Sequence, residues 1–248
     1  MTVGADVLAR IEIARRFCGP PQSGNGGYVA GRLAETLDGE GAAAVRLFAP
    51  PALEKPLDVV ADGDDRLLVD GDQRVALARR VELDLEVPPA PAFAAAERAA
   101  ESFRGFEDPI FPTCFVCGYQ RPEGDGLRIF PGALADREGF AAPFLPDATL
   151  VGPDGDHVAD EFLWAALDCP GAFCFPQPEG RIVLLGEMQA ELFERVRPGE
   201  RLVASSWYVE KDGRKHLTGS ALHAEGGVLV GRAKGVWIEI APDAVPRS

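Results

Sequence analysis

Two stretches of this sequence have the pattern of strongly buried helices, and each precedes a long run of strand-like sequence. The first is "GGYVAGRLAETL", residues 26–37, and the second is "ADEFLWAALDC", residues 159–169, which is apolar on nearly every face through residues 162–167. A helix without a polar face belongs in a protein core rather than on a surface. The sequence therefore predicts two core helices, each followed by its own sheet.

The strand-like runs are rich in β-branched and aromatic residues and are separated by turn signals. After the first helix come "AAAVRLFAP", "LDVVADGDDRLLVDGD" and "QRVALARRVELDLEV"; after the second come "RIVLLGEMQAELFERV", "RLVASSWYVEKDG", "RKHLTGSALHAEGG" and "VLVGRAKGVWIEI". Asp212-Gly213 and Gly226-Gly227 are typical of hairpin turns. The pattern predicts an α+β chain in which each half is one buried helix followed by an antiparallel meander.

A connector separates the two halves. The stretch "PPAPAFAAAERAAESFRGFEDPIFP", residues 88–112, is rich in proline and alanine, and we expect a surface helix over residues 91–104. We therefore place an N-terminal unit at residues 1–105, with its linker from about residue 88, and a C-terminal unit at residues 106–248.

The charge balance excludes some classes of partner. A net charge of −14 makes nucleic acid and anionic membrane surfaces poor partners, because both require basic patches. No apolar run reaches the roughly 20 residues of a membrane span, and "MTVGADVLARIEIARR" lacks the features of a secretory signal. Five cysteines, an odd number in a chain of this length, are typical of thiols in a reducing compartment, so we expect a cytoplasmic protein.

Four motifs, in their order along the chain, carry a family resemblance. They are "GPPQSGNGGYVAGRLAE" (19–35), "CFVCGYQRPEGDGLRIF" (114–130), "WAALDCPG" (164–171) and "LVGRAKGVWIEI" (229–240). They resemble, respectively, the helix start, opening strand, helix end and closing strand of hotdog-fold acyl-CoA thioesterases. The chain thus resembles a double hotdog: two fused hotdog units, each a long antiparallel sheet wrapped around a central helix.

The resemblance implies an active site between the two units. The backbone N–H groups of Gly26 and Gly27 would form an oxyanion hole, and Asn25 would cap the helix or hold the carbonyl or a water molecule. This suits a helix N-terminus, where unpaired N–H groups and the helix dipole favour developing negative charge. Asp168 would be the general base that activates water. Structural roles are the alternative: Asn25 and the glycines as an ordinary cap and turn, and Asp168 as the helix end before Pro170.

The sequence departs from the type II acyl-CoA thioesterases, in which a helix aspartate acts with a Thr or Ser and a Gln. Lys234 stands at the position aligned with the glutamine, and the aligned "LLGEM", residues 184–188, has no hydroxyl. Two other functions therefore stay open. One is a non-catalytic protein that binds acyl-CoA or an acyl carrier, and the other is a hotdog hydratase or dehydratase using His157 with Glu161.

The pseudo-twofold relation between the halves predicts a second, mirror half-site. It would be formed by Glu35, Asp38 and His157. A histidine in a loop such as "PDGDHVADE" is more often a solvated polar residue. We therefore expect the glycine-rich half-site with Asp168 to be the working one.

Several further expectations concern ligands and partners. Candidate cations for CoA phosphates are Arg214, Lys215, Arg232 and Lys234. Cys114 and Cys117 form a single CxxC without a second one, and Cys169, Cys174 and the histidines show no ligand spacing, so we expect structural thiols, no metal, and no cofactor beyond the CoA of the substrate. The expected partner is an acyl-CoA or acyl-carrier thioester, and two double-hotdog chains could pair as a homodimer.

Overall fold

The computed structural model describes residues 6–245, which form one antiparallel sheet and three α-helices. The helices are α1 (Gly26–Ala34), α2 (Phe93–Ala100) and α3 (Asp160–Phe173). The strands are β1 (Val7–Glu12), β2 (Ala43–Leu47), β3 (Pro56–Asp62), β4 (Asp65–Asp70), β5 (Gln73–Arg80), β6 (Gly132–Ala133), β7 (Phe140–Phe144), β8 (Ile182–Leu192), β9 (Leu202–Asp212), β10 (Lys215–Ala224) and β11 (Leu229–Ile240). Among the described residues, no helix is long and apolar enough to cross a membrane.

The sheet has 11 strands in the order β1-β3-β4-β5-β2-β8-β11-β10-β9-β7-β6. Strands β1 to β5 come from the N-terminal half and β6 to β11 from the C-terminal half. The two halves meet where β2 pairs with β8, from Ala43 opposite Ala190 to Arg46 opposite Glu187. The predicted α+β architecture of two fused units is confirmed, and their sheets form a single continuous sheet.

Helices α1 and α3 pack against each other at very close range inside this sheet. A Cβ added to Gly27 would lie 2.5 Å from the Cβ of Asp168, and one added to Gly31 would lie 2.6 Å from the Cα of Glu161. These two glycines are therefore required by helix packing, not by a turn. The close contact brings the start of α1 next to the middle of α3, where Asp168 lies.

Helix α3 continues beyond the predicted end at residue 169 and runs through Pro170 to Phe173. A proline inside a helix removes one backbone hydrogen bond and disturbs the turn before it. Two serine hydroxyls from the sheet donate to carbonyls of this turn, Ser220 to Leu167 at 2.6 Å and Ser206 to Pro170 at 2.8 Å. Asp168 thus lies within the helix and does not end it.

Residues 114–130, expected to form an opening strand, contain no strand. They fold as consecutive turns, because Gly118 N–H bonds back to Cys114 O at 2.9 Å and Leu127 N–H bonds to Phe115 O at 2.8 Å. The segment is tied to the N-terminal half where Phe115 N–H donates to Cys18 O at 2.7 Å. This part of the resemblance was wrong in structural detail.

The connector also differs from its prediction. The expected surface helix over residues 91–104 is shortened to α2, Phe93–Ala100, and its Ala96 and Ala99 are buried. Strands β1, β6 and β7 were not predicted, because they are short or lack a run of β-branched residues.

Candidate functional site

A cavity of about 260 Å³ opens where the two halves of the chain meet. Its wall combines the start of α1, the middle of α3, strands β8 and β11, and the connector around residues 103–119. Most lining side chains are apolar, among them Phe103, Phe111, Phe173, Leu185 and Trp237. Asn25, Gly26 and Asp168 also line it, so the cavity joins an apolar wall to a small polar cluster.

Asn25, Gly27 and Asp168 form that polar cluster through direct hydrogen bonds. The Asn25 side-chain oxygen accepts from Tyr28 N–H at 2.9 Å and caps α1. Its Nδ2 donates to Asp168 Oδ2 at 2.9 Å, and Gly27 N–H donates to the same oxygen at 3.0 Å. Both side chains are almost fully buried. One asparagine therefore caps α1 and fixes the carboxyl group of α3.

The second carboxyl oxygen of Asp168 has no partner. Its Oδ1 is buried and makes no hydrogen bond to the protein. Burial raises the pKa of Asp168 to about 7, although the hydrogen bonds from Gly27 and Asn25 act in the opposite direction. An unpaired buried carboxyl oxygen is costly unless a water or ligand satisfies it, which marks this atom as a position for a bound group.

The two glycines at the start of α1 have different surroundings. Gly27 N–H, expected in the oxyanion hole, donates to Asp168 instead. Gly26 lies at the first helical position and on the cavity wall, where an N–H group has no intrahelical acceptor. Of the two N–H groups expected in the oxyanion hole, that of Gly26 therefore stays a candidate donor while Asp168 accepts from Gly27.

Three cysteines gather beside this cluster. The Sγ atoms of Cys114, Cys117 and Cys169 lie within 4.8 Å of one another, and all three residues line the cavity. Hydrogen bonds from the other two thiols hold the pKa of Cys114 below its ordinary value. The pKa values of Cys117 and Cys169 are raised, and hydrogen bonding to Cys114 is the largest cause. Sequence spacing did not reveal this group, because Cys169 is contributed by α3, 52 residues beyond Cys117.

The residues of the predicted mirror half-site have separate partners. Glu35 interacts with Glu161 and Arg32 at the contact of α1 and α3. Asp38 accepts from Arg66 at 2.6 Å, and His157 Nδ1 lies 2.8 Å from Asp154 Oδ2. None of the three predicted residues lines the described cavity.

The four cations expected to hold CoA phosphates do not line the cavity either. Arg232 is bound to Glu191 and to the carbonyls of Leu83 and Leu85. Arg214 contacts the carbonyl of Glu239. A role for these residues, and for Lys215 and Lys234, at the mouth of the site stays a prediction.

Arg104 is a cavity residue that sequence reasoning missed. It donates to the carbonyls of Phe175 and Ala172 at 2.8 and 3.0 Å, where α3 ends, and burial lowers its pKa. Its position in the proline- and alanine-rich connector gave no signal of this role. The cation stabilises the C-terminal end of α3, as expected from the helix dipole.

Known structures resemble this fold over nearly the whole chain. Acyl-CoA thioesterase II TesB2 from Mycobacterium marinum is 15% identical, with 97% of each chain covered and a TM-score of 0.57. A tesB protein from Mycobacterium avium subs paratuberculosis is 14% identical, and the match covers 88% of this chain and 87% of that protein, with a TM-score of 0.57. A protein with a hot dog fold from Alicyclobacillus acidocaldarius is 10% identical, with 94% and 93% covered and a TM-score of 0.50.

The sequence matches no family model, and no curated protein matches it. At these identities the structural likeness establishes the fold. The chain is a double hotdog, with the same overall architecture as the two mycobacterial proteins.

Proposed function

We propose that this chain hydrolyses acyl thioesters, with acyl-CoA as the first substrate class to test. The observation that carries the proposal is the buried, unpaired Oδ1 of Asp168, a residue that lines a largely apolar cavity. The fold likeness to proteins described as acyl-CoA thioesterases supports it. The apolar wall suits an acyl chain, and the polar cluster suits the thioester group.

In the proposed reaction, Asp168 Oδ1 accepts a hydrogen bond from a water molecule and takes its proton as the water attacks the thioester carbonyl. Gly26 N–H stabilises the oxyanion, because it is a backbone donor at the start of α1. Asn25 and Gly27 hold Asp168 Oδ2 and so orient the carboxyl group. The thiolate of CoA leaves and the free acid forms.

The test measures free CoA released from a panel of short, long and aromatic acyl-CoAs, together with one acyl-carrier thioester. Chromatography quantifies CoA here, because the chain's five cysteines would react with a thiol reagent. We expect release from at least one class of substrate above the rate of buffer alone. The absence of release from every substrate would contradict the proposal.

A non-catalytic acyl-binding protein is the second candidate. This alternative is favoured by the bond from Gly27 N–H to Asp168. Because of that bond, one of the two expected oxyanion-hole donors is not free to stabilise the transition state. Saturable binding of an acyl-CoA without CoA release would establish this alternative. The hydratase alternative has no corresponding support, since none of the cavity residues in the described part of the chain is a histidine.

A further inference from the structure

We propose that Cys114, Cys117 and Cys169 form a binding site for a thiophilic divalent cation, with zinc the first choice. Three thiolates are a donor set that zinc prefers, and structural or catalytic zinc sites commonly use three or four such side-chain ligands. The site is separate in its chemistry from thioester hydrolysis and can be tested without it.

The spacing of the three sulfur atoms matches a tetrahedral metal centre. Zinc–sulfur bonds of about 2.3 Å place two thiolates of a tetrahedral site about 3.8 Å apart. Cys114 Sγ and Cys169 Sγ lie 3.7 Å apart, and all three sulfur atoms fall within 4.8 Å. Only small side-chain shifts are therefore needed to bring the third sulfur into the same coordination shell.

The three ligands lie on parts of the chain that are held in place. Cys114 and Cys117 share one tight turn, closed by the bond from Gly118 N–H to Cys114 O. A Cβ at Gly118 would lie 2.4 Å from that carbonyl oxygen, so the turn depends on glycine. Cys169 lies inside α3 and is buried. A preorganised set of this kind binds metal without ordering a loop first.

A donor outside the group also contacts one of its sulfur atoms. Asn25 Nδ2, which is held by its bond to Asp168, lies 3.9 Å from Cys169 Sγ. Such a contact to a ligating sulfur helps to orient it. When the metal binds, each thiol transfers its proton to solvent as a sulfur–metal bond forms.

The fourth coordination position is left to water or to a ligand group in the cavity. No fourth metal-binding side chain belongs to this group among residues 6–245. Sites with three protein ligands keep an open position of this kind. The same cavity therefore combines the Asp168 cluster with the proposed metal position.

The test uses the full chain, reduced and stripped of metal, and titrates it with Co²⁺ as a spectroscopic substitute for Zn²⁺. We expect one Co²⁺ per chain, a thiolate-to-cobalt charge-transfer band in the near ultraviolet, and loss of that band when Zn²⁺ is added. Loss of an outer-shell contact weakens metal binding by roughly 10–100-fold. The Cys117→Ser variant, which loses a ligand, should weaken Co²⁺ binding by more than that. The control is Cys174→Ser, because Cys174 is a further free cysteine that lies outside the group.

A second measurement guards against a variant that does not fold. In the wild-type chain, one equivalent of Zn²⁺ should protect Cys117 from alkylation, as measured by mass spectrometry, and a chelator should remove the protection. The proposal is overturned if the folded wild-type chain shows no charge-transfer band. It is also overturned if the band persists unchanged in folded Cys117→Ser, or if zinc leaves alkylation of Cys117 unaltered.

Discussion

At the scale of single residues, Asn25 performs two tasks that its position in the sequence suggested only in part. Its side-chain oxygen caps α1, which an asparagine before two glycines predicts. Its amide also donates to Asp168, 143 positions away, and no local pattern announces that bond. Tertiary contacts decide which of several plausible partners a polar side chain takes.

Replacing Asn25 by Asp should separate the two tasks. The new carboxylate retains the cap acceptor but places a second acidic group 2.9 Å from Asp168 Oδ2, where a donor is needed. We expect a loss of about 1–3 kcal/mol in the free energy of unfolding, the usual cost of leaving a buried polar group unsatisfied. Denaturant unfolding at a pH above the pKa of Asp168, which is about 7, measures it. The uncharged control Asn25→Ser should lose less. Equal losses in the two variants would exclude repulsion as a contributor.

At Gly27 the structure leaves no space for a side chain between α1 and α3. The Gly27→Ala variant would put a Cβ 2.5 Å from Asp168 Cβ and 2.8 Å from Trp164 O, so α1 and α3 must move apart. We expect destabilisation of about 1–3 kcal/mol, as for other overpacked cores. In Gly26→Ala the added Cβ meets the flexible ends of Leu185 and Leu47, so its cost in chemical denaturation should be smaller. The reverse order of the two costs would contradict the packing argument.

At the scale of elements, the two core helices and most strands of both halves were predicted from the sequence, because their apolar and β-branched residues form the core of the fold. The strand expected within residues 114–130 did not form, since its three glycines and Pro122 support turns, and the backbone of the segment bonds to Cys18 and to itself. The resemblance supplied Asn25 and Asp168 as candidate site residues, and the structure brings these two side chains into contact. The cysteine group was not, because only the packing of α3 on that turn creates it.

The free energy of unfolding should depend on pH through Glu35, which lies at the contact of α1 with α3. Partial desolvation at this contact, followed by the hydrogen bond and charge of Glu161, raises the pKa of Glu35 to about 8, although 43% of its side chain stays exposed and water screens part of the effect. Arg32 opposes the shift and Asp160 adds to it. The folded state therefore binds a proton that the unfolded state has released, between about pH 4.5 and pH 8. The contribution of Glu35 to stability falls as pH rises through this window.

Substituting Glu35 by Gln should remove that part of the pH dependence. We expect the free energy of unfolding of Glu35→Gln to change less between pH 5 and pH 8 than that of the wild type. Denaturant titrations across this range measure it, with Glu97→Gln on α2 as the control for loss of one surface charge. Parallel curves for Glu35→Gln and wild type would show that Glu35 titrates normally.

At the scale of the whole molecule, the pairing of β2 with β8 and the contact of α1 with α3 join the two halves that the sequence predicts as separate units. The core cluster includes residues of both, such as Leu68 in β4 and Leu222 in β10. All three tryptophans, Trp164, Trp207 and Trp237, belong to the C-terminal half. Trp164 also packs against α1, so tryptophan fluorescence reports on the C-terminal half and on its contact with α1, but has no probe in the N-terminal sheet. This provides a test of coupling.

We expect Leu68→Ala, a change confined to the N-terminal half, to lower the unfolding midpoint seen by tryptophan fluorescence. The fully buried leucine should cost about 2–5 kcal/mol when truncated, and a single cooperative unit transmits this loss to both halves. Circular dichroism, which reports on both halves, should give the same midpoint. A fluorescence midpoint unchanged by Leu68→Ala would mean that the halves unfold independently.

The measurement that tests the central claim most directly is CoA release by Asp168→Asn beside the wild type, on whichever acyl-CoA the wild type cleaves. The variant keeps the volume of the side chain and an oxygen for the Gly27 N–H, while binding of a non-hydrolysable thioether analogue checks that the cavity is intact. We predict a fall of about 10²–10⁴-fold in kcat with analogue binding retained, as expected for loss of a general base. A kcat that stays within a few fold of the wild type would contradict the role of Asp168.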